Sequence, residues 1–412
     1  MSNAKTTREP FFHIVKRGNL TTSKKISIYA IAIFSSLLLG AIICSLVSPR
    51  GNVIKFFTSL FEGCFSSSRK IWMFLRELAI LLAVSMSLII SFKMKFWNLG
   101  GNGQILMGGL AAIVCDFYLG GKINETLLII IVILASVTAG AIWAAIPAIC
   151  KVLWNTNETL FTLMLNYIAA GLVSFFIALW SKNGSGICPN IVHGKMPIIF
   201  GNKFLLSILF GVIVTTFITI YLKFTKQGYE LSVVGDSQNT ARYIGINVKK
   251  VVIRTLIISG AICGLVGLIL TSGAGNDFNK ISSDTSANLG FTAIMTTWLA
   301  NCNPIFAIAT CFLNVFVSKG VIDGVRQNFG MNNDSISNLV IGIVYFFIIA
   351  CAFFTQYKVV FSPKAQAVIN KITKPFRWVI DKIKKGVLFV FNKIKKLFNK
   401  KEKQTEDQKE DK

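Results

Sequence analysis

In the stretch "NETLFTLMLNYIAAGLV", Glu158, Thr162 and Asn166 recur at intervals of four residues. On an α-helix that spacing aligns a carboxylate, a hydroxyl and a carboxamide in one polar stripe. Asn157 is a good N-cap for such a helix, and Glu158 then sits in the first turn, where the helix dipole favours an anion. The remainder of the segment is apolar enough to face lipid. Polar groups inside a membrane turn to a cavity or to another helix, so two readings stay open: the lining of a translocation path, or an interhelical hydrogen-bond ladder. The same choice applies to Asn98 and Gln104 in "NLGGNGQILMGG", and to Asn301 and Asn303 around the break before Pro304.

A second polar stretch, "GYELSVVGDSQNTARYIGINVKK" (Gly228 to Lys250), lies between two runs that are each apolar enough to cross a bilayer. Asp236 or Ser237 can cap a short helix there, Gly245 can take the left-handed position that ends it, and Ile246 can fold back to close it. Ala241 and Ile244 then share a face flanked by Arg242 and Gln238. A short helix with defined ends suits docking into another protein's groove better than lying on lipid.

Neither stretch offers an enzyme's chemistry. The nine cysteines include no CxxC pair and the chain has only His13 and His193, so no metal set or cofactor is expected. Cys64 and Cys188 fall in loops expected on one outer face, where unpaired thiols are favoured over a disulfide. The glycines of "NLGGNGQILMGGLAA" lack a following Lys-Ser or Lys-Thr, which a phosphate loop needs, so the chain is not expected to hydrolyse ATP. Gly108 and Gly109, with Gly260 and Gly264 at GxxxG spacing, instead let helices approach closely.

The elements that must position these residues follow from composition. In 412 residues, 53% are hydrophobic and 15% charged, with a mean hydropathy of +0.62. No single water-soluble core hides that much apolar surface, so the chain reads as an all-α, polytopic membrane protein. Runs of lipid-spanning length occur at about 26–47, 71–92, 100–119, 126–149, 159–180, 204–222, 251–272 and 337–356, with two short ones at 287–300 and 304–318. That makes about ten crossings, some short or broken. The first is read as an uncleaved anchor rather than a signal peptide.

The net charge of +25 is concentrated at the chain ends and loops, where it meets anionic lipid headgroups and not nucleic acid. With ten crossings, the basic N-terminus, the basic 223–250 loop and the tail all fall on the cytoplasmic side, as the positive-inside rule asks. The expected organisation is a basic arm over 1–25, a transmembrane domain over 26–356, a basic amphipathic helix region over 357–398 and a disordered charged tail over 399–412.

Five segments in order, "NLGGNGQILMGGLAA", "NETLFTLMLNYIA", "GYELSVVGDSQNTARYIGINV", "ISGAICGLVGL" and "GFTAIMTTWLANCNP", resemble ABC importer permeases over about 95–355. The likeness is to the longer membrane subunit of nucleoside and simple-sugar importers, related to ribose and branched-chain amino acid permeases. It implies a coupling helix, carried by Gly235, Asp236, Ala241, Arg242, Gly245 and Ile246, that sits in a cleft of a separate ATP-binding cassette ATPase. It also implies a second permease subunit, an extracytoplasmic solute-binding lipoprotein and a cell-membrane location. Departures from the family pattern stand at Asn102, Ser232, Thr240, Thr292 and Ala293. They bear on substrate, so nucleosides lead, with simple sugars or another small polar solute as the alternative. An ion-coupled carrier is the weaker rival, since Glu77, Asp116 and Glu158 all lie near span ends.

Overall fold

The computed structural model describes residues 12–18, 21–48, 51–181, 188, 191–274, 280–330 and 334–361. Its elements run β1 (Phe12–Lys16), α1 (Thr22–Val47), α2 (Val53–Phe65), α3 (Ser68–Lys93), α4 (Gly101–Leu119), α5 (Glu125–Trp154), α6 (Glu158–Trp180), α7 (Leu205–Phe224), α8 (Lys226–Asp236), α9 (Gln238–Tyr243), α10 (Val248–Ser272), α11 (Leu289–Leu299), α12 (Pro304–Asn328), α13 (Asp334–Gln356) and β2 (Tyr357–Phe361). Among the described residues nine helices are long and apolar enough to cross a membrane, and α11 is a shorter apolar helix. The all-α polytopic reading and its count of about ten therefore hold.

The chain divides into two compact units: Ala30–Ile349, and the two chain ends together. In the first, α3, α4 and α10 form the centre, with 61–72% of their span windows buried against 28–33% for the outer long helices. Small residues make that centre possible. A side chain at Gly140 would strike the Gly260 carbonyl, one at Gly264 the Ser136 carbonyl, and one at Gly108 the Gly264 backbone. Helices α4, α5 and α10 thus cross backbone against backbone, where only hydrogen fits.

Helix α2 was not expected from the sequence, which reads 48–70 as a loop. At 13 residues it is too short to register as a span. It is an amphipathic helix capped by Asn52, whose Oδ1 accepts the Ile54 amide at 3.2 Å. It buries Phe56, Leu60 and Cys64 beside a π-helical turn of α12 at Gly320–Val325. A side chain at Gly324 would collide with the Ser59 carbonyl, so the widened turn follows this close approach. Cys64 and Cys188 are both buried and free, and no bridge joins them.

In the second unit, β1 pairs antiparallel with β2, from Phe12 opposite Phe361 to Lys16 opposite Tyr357. The basic arm thus contains a strand, and residues 357–361, within the region expected as amphipathic helix, are strand instead. "FHIVK" and "YKVVF" are rich in β-branched and aromatic residues, which suit a pleated pair. The amphipathic pattern over 376–398 and the charged tail over 399–412 lie outside the described residues.

Candidate functional site

Two residues of the polar stripe on α6, Thr162 and Asn166, point inward and are engaged. Thr162 is completely buried and Asn166 nearly so. Both reach the extended residues that lead into α4. Thr162 Oγ1 accepts the Leu99 amide at 3.1 Å. Asn166 Nδ2 donates to the Leu99 carbonyl at 2.9 Å, and its Oδ1 accepts the Gly103 amide at 2.8 Å.

Asn98, also fully buried, turns the same corner from the other side. Its Oδ1 accepts the Gly100 amide at 3.0 Å and Gln104 Nε2 at 3.3 Å, while its Nδ2 reaches Ser259 Oγ on α10 at 3.5 Å. A helix start leaves backbone N–H groups without helical partners, and in an apolar interior side chains must take them. Asn98, Gln104, Thr162 and Asn166 together hold the entry of α4 by these hydrogen bonds. Asn102 extends the ladder to α11, its Oδ1 accepting the Gly290 amide at 2.7 Å.

The other three path candidates lie elsewhere. Glu158 pairs with Lys151 at 2.8 Å across the turn from α5 to α6. Asn303 is the N-cap of α12, accepting the Ile305 amide at 3.0 Å. Asn301 is exposed and, with Cys302, takes a positive φ in the turn between α11 and α12. Their polarity serves helix ends and turns.

The second constellation is an elbow of α8 and α9. Ser237, not Asp236, caps α9, its Oγ accepting the Thr240 amide at 3.2 Å. Asp236 closes α8, and its carbonyl accepts Lys95 Nζ at 3.4 Å. At the far end Gly245 has φ +83°, the Gly245 amide bonds Arg242 O at 3.1 Å, and the Ile246 amide bonds Ala241 O at 2.9 Å. That is the glycine-terminated closure read from the sequence. Gly235 presses so closely on α3 that a side chain there would strike the Lys93 carbonyl. Arg254 of α10 pairs with Glu230 of α8 at 3.2 Å, which fixes the elbow to the bundle.

One expectation reverses here. Ala241 is fully buried, within the central core and not on an outward docking face. Ile246 packs against that core as well. The outward surface is Arg242, Ile244 at 50% exposure and Tyr243 at 92%. Tyr243 was missed because its neighbours carry the motif, although an aromatic amid polar residues on a short helix is itself a contact signal.

The model for the family "Branched-chain amino acid transport system / permease component" matches residues 71–349. The nucleoside ABC transporter permease protein NupB of Lactococcus lactis is 27% identical over 365 residues, covering 84% of this chain and 95% of that one. The guanosine ABC transporter permease protein NupP of Bacillus subtilis is 25% identical, over 69% of this chain and 82% of its own. A glucose ABC transporter permease protein of Haloferax volcanii is 25% identical, over 68% and 76%.

Proposed function

Because this chain belongs to the family of branched-chain amino acid transport system permease components, we propose that it is the membrane-spanning permease subunit of an ATP-driven nucleoside importer. The observation that carries the reading is the α8–α9 elbow. It is capped at both ends, fixed to α3 and α10, and presents Arg242, Tyr243 and Ile244 outward, in a chain whose glycine-rich segment lacks a phosphate loop. A rigid surface anchored to the central helices can pass a partner's closure to the spans; a flexible loop would absorb it.

In this reading an ATP-binding cassette ATPase receives that surface in its cleft. A second permease subunit completes the path, and an extracytoplasmic solute-binding lipoprotein delivers the solute. The protein sits in the cell membrane with both termini and the elbow on the cytoplasmic side, as the basic residues flanking the spans favour. Gly235 and Ala241 are positioning residues of the coupling element, and Arg242 touches the ATPase. Nucleosides take precedence over sugars because the two relatives described as nucleoside or guanosine permeases share more of their length with this chain than the glucose permease does.

The test is reconstitution of the full complex in liposomes with ATP inside, measuring guanosine, uridine and glucose uptake. ATP-dependent uptake of a nucleoside, abolished by omitting the ATPase, is the expected result. Nucleoside accumulation by the permease chain alone would refute it.

A further inference from the structure

The segment that leads into α7 carries a tight turn with an unsuited residue at its tip. The Asn202 amide donates to the Ile199 carbonyl at 3.0 Å, and the two central residues, Phe200 and Gly201, have φ of +48° and +69°. Positive φ at both centres favours Asn, Asp or Gly, and a bulky residue there is strained. Gly201 meets that demand and Phe200 does not. Nor does the ring gain packing within the chain that would offset the strain, since Phe200 is 94% exposed.

The root of the turn is fixed. Met196 is buried in a cluster with Leu128, Val132 and Leu268, and its amide donates to the Ser272 carbonyl at 3.1 Å. The Glu125 carboxylate accepts the Gly194 amide at 3.1 Å and meets His193 Nδ1 at 2.6 Å. On the other side Asn202 Oδ1 accepts the Phe204 amide at 2.9 Å. A strained aromatic held outward on a fixed support points to a contact beyond the chain.

Helix α7 indicates what makes that contact. Its 20 residues rise about 30 Å, the thickness of the hydrocarbon core, so Leu205 stands at the edge of that core. Phe200 comes shortly before Leu205 and is folded back by the turn, which keeps it beside the headgroup layer. Ile198 and Lys203 flank it, both exposed. Below them α7 exposes Leu209, Val212, Ile213 and Phe217 to lipid. A ring with an ammonium group near it suits the boundary where acyl chains meet phosphates, whereas a water-soluble partner would have to enter the headgroup layer to cover the ring. We propose that the Ile199–Asn202 turn is a lipid anchor. It seats the Phe200 ring among the upper ends of the acyl chains and Lys203 at phospholipid phosphates, and so ties the start of α5 and the close of α10 to one leaflet.

The test labels Phe200→Cys with bimane in the assembled complex, reconstituted in vesicles of phosphatidylcholine and phosphatidylglycerol, and reads quenching above the wild-type background. Bromine near the top of the acyl chains is expected to quench the label strongly, and iodide in the water weakly. Strong quenching by iodide with none by bromine overturns the anchor, and relief of that iodide quenching by an added solute-binding protein would assign the turn to a protein partner instead. Phe200→Asn suits the turn's backbone and removes the ring, so it is expected to assemble as the wild type does. Bromine quenching of a label on Ile198→Cys is expected to fall in Phe200→Asn and to return in Phe200→Trp. Unchanged quenching at Ile198→Cys in Phe200→Asn also overturns the anchor. If Phe200→Cys does not assemble, the label on Ile198→Cys decides alone. The readout requires no transport, so its failure leaves the importer reading standing.

Discussion

Replacing Asn166 with leucine separates the ladder from the path. The change removes two hydrogen bonds of 2.8 and 2.9 Å and strands the Gly103 N–H and the Leu99 carbonyl. Each stranded backbone group in a water-poor interior costs about 1–3 kcal/mol, so the total expected loss is about 2–6 kcal/mol. Thr162→Val keeps the shape and strands only the Leu99 N–H, held at 3.1 Å, for about 1–3 kcal/mol.

Both side chains grip the same residue, Leu99, through its two backbone groups. The double variant should therefore lose less than the sum of the singles, since a corner already released has little left to lose. The assay is thermal unfolding of the purified complex, followed by transport per assembled complex. The ladder predicts a lowered midpoint in the order Asn166→Leu, then Thr162→Val, with transport falling in step with assembly. Wild-type stability combined with abolished transport in Asn166→Leu would refute it and return the stripe to the solute path.

Ala241→Glu forces a carboxylate into the core and should release α9, lowering both thermal stability and coupled ATP hydrolysis, whereas Tyr243→Ala should leave stability unchanged and reduce coupling alone; equal stability loss in the two would contradict the inward and outward assignment. Gly245→Val places a β-branched residue at φ +83°, with no neighbour for its Cβ to strike, so its effect is purely conformational, about 1–2 kcal/mol, read as reduced substrate-stimulated ATP hydrolysis with normal membrane insertion. Glu158→Gln breaks a partly exposed ion pair and should change stability by no more than about 1 kcal/mol. Burial pushes the thiols of Cys188 and Cys302 up to about 11, with Lys93 drawing Cys302 back in part. Because the thiolate is the reactive form, their alkylation at pH 7.5 should be slow and climb about tenfold per pH unit toward 11, while an exposed cysteine in Tyr243→Cys reacts readily at neutral pH.

The spans were legible because a bilayer sets a length that a run of apolar residues must meet, and the caps at Ser237, Asn157 and Gly245 were legible because backbone ends have few side-chain solutions. Direction was not. Spacing places Ala241 and Ile244 on neighbouring turns, but which of them faces the bundle depends on where Lys93 and Lys95 come to rest. The spacing of Thr162 and Asn166 shows that they share a face, but not that they reach Leu99 and Gly103, which depends on the fold of the 98–100 corner. Helix α2 and the β1–β2 pair escaped because they are shorter than any membrane-set length.

That small β pair also constrains how the whole chain threads the bilayer. Backbone hydrogen bonds between residues 12–16 and 357–361 can form only if both strands occupy the same aqueous compartment. Whatever lies between them must cross an even number of times. Among the described residues nine helices are long and apolar enough to cross, and the even count is met if α11, 11 residues long, crosses as well. Reporters inserted beside the two strands are expected to sense one and the same compartment, and opposite compartments would contradict the pairing.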